Sequence, residues 1–244
     1  MGYQWRIIFT YWPDYLVALR TSITLTILAF ALALVLATVA AVARNSKNPI
    51  LRLIAGVYVE AIRNTPVLLQ IFVIYFALPS VGIKLNAYVA GVVALGVNVG
   101  AYLAETFRAG INDVAIGQVE AATVLGLGKA TVFFRVVFPQ ALRKVHPTTV
   151  NYLIITWLGT SLLSALGLDE LTGTGLVINA RTLLYVQIFL VLLVTYLIVT
   201  FVLSFLGSLV GRVAFKPPLP KLGTGTTLLT TIRTFFFWRK GAEK

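Results

Sequence analysis

Long apolar stretches without Asp, Glu, Lys or Arg dominate this chain. Each stretch reaches the roughly 20 residues that an α-helix needs to cross the hydrocarbon core of a bilayer. The stretches lack period-two alternation and are too long for barrel strands, so their backbone groups must be satisfied within helices. The pattern therefore predicts an all-α, polytopic membrane protein with about five transmembrane helices. The five stretches are residues 21–43, 64–83, 85–104, 147–168 and 182–211.

Composition agrees with this picture and removes some classes of site. Of the 244 residues, 59% are hydrophobic and 11% are charged, whereas a soluble domain carries about 25% charged residues. The chain has no cysteine and one histidine, His146, so we expect no metal site. We interpret His146 as a boundary residue of the fourth span. Residues 11–14 interrupt the N-terminal region, so we expect no cleavable signal peptide.

Basic residues lie mainly on alternate sides of the predicted spans. Fifteen of the 20 follow the first, third or fifth span, and the positive-inside rule assigns those sides to the cytoplasm. We therefore expect a multi-pass inner-membrane protein with its N-terminus outside and its C-terminus in the cytoplasm. This distribution explains the net charge of +12 without a nucleic-acid partner. The fifteen are Arg44, Lys47, Arg52, Arg108, Lys129, Arg135, Arg143, Lys144, Arg212, Lys216, Lys221, Arg233, Arg239, Lys240 and Lys244.

The longest predicted cytoplasmic loop, about residues 109–146, contains a helix–glycine–helix hairpin. Residues 118–125 favour a helix, and Gly126 and Gly128 can end it, because glycine accepts the left-handed conformation of a C-terminal cap. Small residues at the exposed edge of this helix would let another protein approach closely. A solvated connector is the alternative, but the spacing of residues here is too particular for a generic loop.

A second helix, at about residues 129–138, completes the hairpin. Pro139 would stop or kink it, because proline lacks the backbone donor. The apolar face of this helix, at 3,4 spacing, consists of Val132, Phe133, Val136 and Val137.

The spacing within the hairpin resembles the signature of the permease subunits of bacterial ABC importers. That signature is Glu-Ala-Ala, three residues, Gly, nine residues, then Ile-x-Leu-Pro. The matching positions in this chain are Glu120, Ala121, Ala122, Gly126 and Pro139, with Val136 and Phe138 as apolar replacements.

Further segments resemble the polar amino-acid uptake permeases in particular. Residues 63–70 read Arg-Asn-Thr-Pro-Val-Leu-Leu-Gln, similar to Arg-Gly-Thr-Pro-Leu-Leu-x-Gln. Residues 101–108 read Ala-Tyr-Leu-Ala-Glu-Thr-Phe-Arg, similar to Ala-Tyr-x-x-Glu-x-Phe-Arg. Residues 117–122 and 139–143 also match, and the resemblance covers about residues 15–215.

The resemblance implies a type I ABC importer permease-like fold and a set of partners. Residues 1–215 would form the transmembrane domain, and residues 216–244 a basic, aromatic cytoplasmic tail. The hairpin would couple the chain to ABC ATPase subunits through its signature residues. The other partners would be a second permease chain, identical or different, and a solute-binding protein outside. ATP and Mg²⁺ would bind to the ATPase, and this chain would bind no cofactor.

The chain lacks the residues for ATP hydrolysis. A Walker A loop needs Gly-x4-Gly-Lys-Ser/Thr. Around Gly128-Lys129 the chain instead has Thr123 and Ala130 at the first glycine and the hydroxyl position. The sequence also offers no nucleophile–base set. We therefore expect a transporter subunit rather than an enzyme.

Ionisable residues near the ends of the second and third spans need partners or a water-filled cavity. Glu60 and Arg63, and likewise Glu105 and Arg108, are spaced to form intrahelical ion pairs. The alternative is that Arg63, Thr65 or Glu105 lines the gate or substrate path. Pro66 would open the second span locally.

A stripe of hydroxyl side chains runs along the fourth span. Its hydroxyls can bond back to the preceding turn or to a neighbouring helix, while the resemblance implies that Thr160 and Ser161 line the translocation path. Relatives often read Lys-Asp-Thr-Ser-Leu, but here Leu158 and Gly159 replace both charged residues. We hypothesise that this chain is the weaker-binding half of a heteromeric pore or serves a different substrate. The stripe consists of Thr156, Thr160, Ser161 and Ser164.

Weaker signals complete the sequence. The spacings Gly96-x3-Gly100 and Gly207-x3-Gly211 permit close helix contact, and Asn98 suits an interhelical hydrogen bond. Residues 169–170, Asp-Glu, either face a solute-binding protein or form a solvated turn. The tail either lies on the membrane surface or is disordered.

Together these features predict a transmembrane subunit of an ATP-driven importer that moves polar amino acids across the inner membrane. One alternative is an ABC importer permease for an opine or a quaternary amine. The other is an ATP-independent carrier or channel, which would leave the hairpin without a purpose. Membrane lipid is a partner in every case.

Overall fold

The computed structural model describes residues 2–215 and Leu219, and the regular structure of this part of the chain is entirely helical. Residues 216–244, Leu219 apart, lie outside the described residues, and so does the predicted basic, aromatic tail. The helices are α1 (Gly2–Thr10), α2 (Trp12–Arg44), α3 (Pro49–Arg63), α4 (Val67–Phe72), α5 (Ala87–Asn112), α6 (Ile116–Val124), α7 (Lys129–Val132), α8 (Phe138–Gly159), α9 (Leu171–Thr182) and α10 (Tyr185–Ala214).

Four of these elements are long and apolar enough to cross a membrane. They are α2, α5, α10 and the continuous stretch Lys129–Leu166, which joins α7 and α8 through a π-helical turn and ends in a 3-10 helix. A fifth crossing is possible if α3 and the helical segment Val67–Val81 form one broken span, bent by 109°. The prediction of an all-α protein with about five spans is confirmed.

The second predicted span is not one straight helix over residues 64–83. The element begins at Pro49, ends at Arg63 and resumes at Val67 after Pro66, which has an extended backbone at φ −63° and ψ 135°. Proline has no backbone N–H and fixes φ, so it suits the start of a new helix better than a helix interior. The irregularity predicted at Pro66 is confirmed as a complete break.

Small residues bring α2 and α5 together at the centre of the molecule. Ala29, Ala33 and Ala37 are fully buried along one face of α2. A Cβ added to Gly96 would lie 2.7 Å from Leu32 Cδ2, and one added to Gly100 would lie 3.1 Å from Leu36 Cβ. Lipid supplies no hydrophobic force between helices, so this close packing carries the association. The close contact predicted at the first glycine pair is confirmed.

The second glycine pair makes the same kind of contact between α10 and α8. A Cβ added to Gly207 would overlap Val150, and one added to Gly211 would lie 2.9 Å from His146 Nε2. His146 Nε2 also lies 2.9 Å from the Gly207 carbonyl oxygen. His146 is therefore a packing residue inside α8, and residues 147 onward do not start a new helix.

Pro139 does not stop the second helix of the hairpin, so this half of the prediction is wrong, whereas the alternative of a kink stays a prediction. The chain passes from α7 through a π-helical turn, Phe133–Val137, directly into α8, where Pro139 occupies the first turn. A wider turn before the proline leaves its missing donor without consequence, because the first-turn N–H groups of a helix lack intrahelical partners. The second helix of the hairpin is thus continuous with the span that follows it.

Candidate functional site

The hairpin consists of α6, a glycine turn and α7. Helix α6 ends at Val124, and Gly126, two residues later, has a φ of +79°. The Leu127 N–H donates to the Ala122 carbonyl at 3.2 Å, and the Gly126 N–H donates to the Thr123 carbonyl at 3.0 Å. These two bonds define a Schellman cap, which needs the left-handed conformation at its glycine. Gly128 instead has a φ of −66° and precedes α7, so it opens the second helix and does not end the first.

The signature residues of the hairpin have different surroundings. Ala122 is buried, while Glu120, Ala121 and Pro139 are exposed. Helix α6 packs against α7 and the π-helical turn, so the small side chain of Ala122 permits close packing within the hairpin. The expectation that both alanines lie on an exposed edge is therefore wrong for Ala122.

Large apolar side chains cover the free surface of the hairpin. The exposed fractions are 75% for Ile116, 87% for Val124, 79% for Leu125 and 65% for Phe134. We call these four residues the apolar tip. Sequence reasoning missed them because their apolar character is unremarkable in a membrane protein. Exposed apolar surface of this kind is typical of a protein interaction site.

Glu105 joins two helices at the end of the first span. Its carboxylate accepts a hydrogen bond from Arg44 at 2.6 Å and is also paired with Arg108, one turn further along α5. The predicted Glu105–Arg108 pair is confirmed. The Arg44 contact was missed, because no sequence signal joins residues 61 positions apart. The carboxylate is fully engaged, so Glu105 holds the end of α2 against α5.

The predicted Glu60–Arg63 pair is wrong within the part of the chain that the structure describes. Glu60 Oε2 accepts a 3.3 Å hydrogen bond from Asn64 Nδ2. The Arg63 guanidinium instead lies over the Tyr102 ring, 5.5 Å from its centroid. Tyr102 stacks on Tyr152 with 5.9 Å between ring centroids. Both residues lie in the last turn of α3, but each side chain has another partner, which the spacing argument did not anticipate.

Polar side chains lock the break between α3 and α4 onto α5. Gln70 Nε2 donates to the Ile62 carbonyl and to Thr65 Oγ1, both at 2.8 Å. Asn98 Nδ2 donates to Gln70 Oε1 at 3.0 Å, which confirms the interhelical role expected for Asn98. Thr65 Oγ1 also donates to the Ala61 carbonyl at 2.9 Å. Thr65 is exposed at the break, but its hydroxyl is occupied by local bonds.

The hydroxyls of the fourth span bond back to their own helix. Thr160 Oγ1 donates to the Trp157 carbonyl at 2.8 Å and Ser161 Oγ donates to the Leu158 carbonyl at 2.7 Å. Thr160 is fully buried, whereas Ser161 is partly exposed. The geometry therefore supports the interpretation in which these hydroxyls bond back to the preceding turn. Thr160 faces the protein interior.

Glu170 is buried, and the expected solvated turn is wrong for this residue. Its carboxylate accepts hydrogen bonds from Ser22 Oγ at 3.2 Å, Tyr196 Oη at 3.1 Å and the Gly173 N–H at 2.8 Å. Burial raises the pKa of this carboxyl, and the hydrogen bonds oppose that rise. Because Ser22 belongs to α2 and Tyr196 to α10, Glu170 ties the turn before α9 to the first and last spans. Asp169 is exposed.

The residues predicted for the substrate path fall into two groups. Arg63, at the end of α3, lies against Tyr102 of α5, one turn from Glu105. Gly159, just before Thr160 and Ser161, instead faces Leu95. Ten residues of helix separate Leu95 from Glu105, roughly 15 Å. The two groups therefore lie at different depths in the bundle.

The known proteins that this chain resembles are membrane components of transport systems. The family described as binding-protein-dependent transport system inner membrane component matches residues 29–214. A probable glutamine ABC transporter permease protein of Bacillus subtilis strain 168, GlnP, is 37% identical over 196 residues, 79% of this chain and 88% of that protein. The nopaline transport system permease protein NocM of Agrobacterium fabrum strain C58 is 35% identical over 209 residues, 82% of this chain and 87% of the relative.

A solved structure is similar as well. The crystal structure of an amino acid ABC transporter with histidines contains a chain that is 33% identical to this one, with a TM-score of 0.79. The match covers 84% of this chain and 96% of that chain.

Proposed function

Because this chain belongs to the family of inner membrane components of binding-protein-dependent transport systems, we propose that it imports polar amino acids as the transmembrane subunit of an ABC importer. It is a transporter subunit and not an enzyme, since ATP is hydrolysed by a separate ATPase chain. The proposal for the substrate class draws on relatives and a solved structure whose names refer to glutamine and amino acids.

The hairpin is the proposed coupling element. The observation that carries this proposal is the apolar tip, four large side chains exposed on a hairpin that is continuous with α8. An ATPase surface with an apolar groove would bury these side chains. Glu120, Ala121, Ala122, Gly126 and Pro139 would shape the hairpin and fix its angle to the span. Motion of the ATPase would then reach α8 without a flexible joint.

The proposed topology places the hairpin in the cytoplasm, with the N-terminus outside and the C-terminus inside. Its support is the distribution of basic residues, since α6, α7 and the π-helical turn carry Lys129 and Arg135. The partners would be ABC ATPase subunits, a second permease chain and a solute-binding protein outside. ATP and Mg²⁺ would bind to the ATPase. Residues 1–215 would form the transmembrane domain and 216–244 a cytoplasmic tail.

The proposed substrate path runs along the face of the bundle that carries Arg63, Thr65 and Ser161. These three residues are exposed or partly exposed in the single chain, so a second permease chain would enclose them. Glu105 and Thr160 would stabilise the helices that line this path. Glu105 would do so through its ion pair with Arg44, and Thr160 through its hydrogen bond to the Trp157 carbonyl.

Reconstitution tests the proposal. The chain would be co-purified with its ATPase and solute-binding protein, placed in proteoliposomes and supplied with each of the twenty amino acids. We expect ATPase stimulation and uptake against a gradient for polar amino acids, and no uptake with an ATPase whose Walker A lysine is replaced. Uptake that survives this replacement would instead indicate an ATP-independent carrier.

An opine is the second candidate substrate. The 35% identity to a nopaline transport system permease favours it. Stimulation by nopaline but by none of the twenty amino acids would select this alternative.

A further inference from the structure

Arg63 forms no direct ion pair within the described part of the chain, although its charge acts on Glu105 at longer range. Among the described residues, the ion pairs join Arg44 and Arg108 to Glu105 and join Lys144 to Asp113, and Arg63 takes part in none of them. Its guanidinium instead lies over the ring of Tyr102. A cation–π contact of this kind contributes modestly and leaves the N–H donors of the guanidinium free.

The location of Arg63 makes an unpaired charge costly. Tyr102 lies in α5, one turn before Glu105 and close to the end of the uncharged stretch 85–104, which is long enough to cross the bilayer. A charged group at such a position normally pairs with a counter-ion or faces a water-filled cavity. The nearest acidic candidates by sequence do not serve, since Glu105 is engaged by two other arginines and Glu60 bonds to Asn64.

The backbone around Arg63 is held firmly. The Tyr102 hydroxyl donates to the Arg63 carbonyl at 3.1 Å, and Gln70 Nε2 donates to the neighbouring Ile62 carbonyl at 2.8 Å. The Tyr102 ring is in turn stacked on Tyr152. These contacts position the side chain at the break between α3 and α4 while the side chain itself remains exposed. A fixed, exposed and unpaired guanidinium is an anion receptor, and its planar fork matches a carboxylate.

We propose that Arg63 is the carboxylate receptor of the translocation path. It binds the carboxylate of the passing solute with two parallel N–H···O bonds, and Tyr102 and Tyr152 hold it in place. This inference rests on the proposed function and narrows it, because the solute must carry a carboxylate. Amino acids and opines satisfy this condition, whereas a quaternary amine without a carboxylate does not. Gly159 is consistent with this reading, because it offers no carboxylate to a substrate amino group.

Equilibrium binding to the permease–ATPase complex in nanodiscs, without solute-binding protein, tests the proposal. Omitting that protein matters, because it would itself select for the carboxylate. The twenty amino acids are screened first, and each one that binds is then compared with its α-carboxamide, for example L-glutamine with L-glutaminamide. Arg63→Gln should weaken binding of the acid by about ten- to hundredfold, the range expected for losing hydrogen bonds to a charged group. Binding of the amide should not change.

Two further variants make the result specific. Arg63→Lys keeps the charge but loses the planar fork, so it should give an intermediate loss. Arg52→Gln is the matched control, because Arg52 is an exposed arginine on the same helix, and binding should stay within twofold of wild type. If Arg63→Gln does not assemble with the ATPase, the ratio of acid to amide binding in Arg63→Lys decides the question.

The outcomes separate this inference from the proposed function. If the wild type binds amino acids and Arg63→Gln or Arg63→Lys binds acid and amide with unchanged ratio, the carboxylate receptor is wrong and the importer proposal stands. If the wild type binds none of the twenty amino acids and none stimulates the reconstituted ATPase, the amino-acid substrate class and the receptor both fail.

Discussion

Gly126 and Gly128 form a natural pair for testing the hairpin geometry. A Cβ added at either position meets no atom within 4 Å, so substitution by alanine changes the backbone energy and not the packing. Gly126 has a φ of +79° and Gly128 a φ of −66°. An L-residue in the left-handed region costs roughly 1–2 kcal/mol, whereas the φ of Gly128 is one that alanine adopts without this cost. Gly126→Ala should therefore weaken the cap, and Gly128→Ala should not.

Hydrogen exchange measures this difference directly. The N–H groups of Gly126 and Leu127 donate to α6 in the cap, so they exchange when the cap opens. A loss of 1–2 kcal/mol in local stability corresponds to exchange that is about 5- to 30-fold faster at residues 126 and 127. Gly128→Ala should leave this rate within about twofold. Equal exchange rates in both variants would refute the assignment of Gly126 as a left-handed cap.

Three further predictions concern the spans. Glu170→Ala leaves Ser22, Tyr196 and the Gly173 N–H without their acceptor. The purified complex should lose roughly 3 kcal/mol or more of stability, and its thermal midpoint should fall accordingly. An unchanged midpoint would contradict the role of Glu170 in joining the first and last spans. Gly207→Ala places a Cβ against Val150 and should destabilise by about 1–3 kcal/mol; Val150→Ala should restore part of this in the double variant, and additive losses would show that the contact is absent. Gly159→Asp adds a side chain whose Cβ lies 3.2 Å from the flexible Leu95 side chain, so the substitution should be tolerated. The new carboxylate should alter which substrates stimulate the ATPase. An unchanged substrate profile would count against a role for residue 159 in selectivity.

Most of the fold could be predicted from the chain alone, because membrane spans depend on local composition. Uncharged stretches of about 20 residues located the spans, and the glycine pairs located two close contacts. The break at residues 64–66 was harder, since proline signals an irregularity but not a 109° bend. The continuation of α7 into α8 was also missed, because a π-helical turn that absorbs Pro139 leaves no simple sequence pattern.

The candidate site was predicted less completely, because its contacts join distant residues. The pairing of Arg44 with Glu105 and of Glu170 with Ser22 depends on how helices pack, which spacing within one helix does not reveal. The spacing rule also failed for Glu60 and Arg63, because Glu60 accepts from Asn64 and Arg63 lies over Tyr102 of another helix. The apolar tip was missed for a different reason: exposure, not residue type, makes Val124 and Leu125 distinctive.

The account depends on the apolar tip as the contact through which ATP hydrolysis drives this chain. Leu125→Asp tests it most directly, because Leu125 is 79% exposed and its replacement should not disturb the core. Asn45→Asp is the control, because Asn45 is an exposed residue outside the hairpin, directly after α2. Co-purification with the ATPase should fail for Leu125→Asp and persist for Asn45→Asp, with uptake lost in parallel. Full co-purification and undiminished uptake against a gradient in Leu125→Asp would contradict the account.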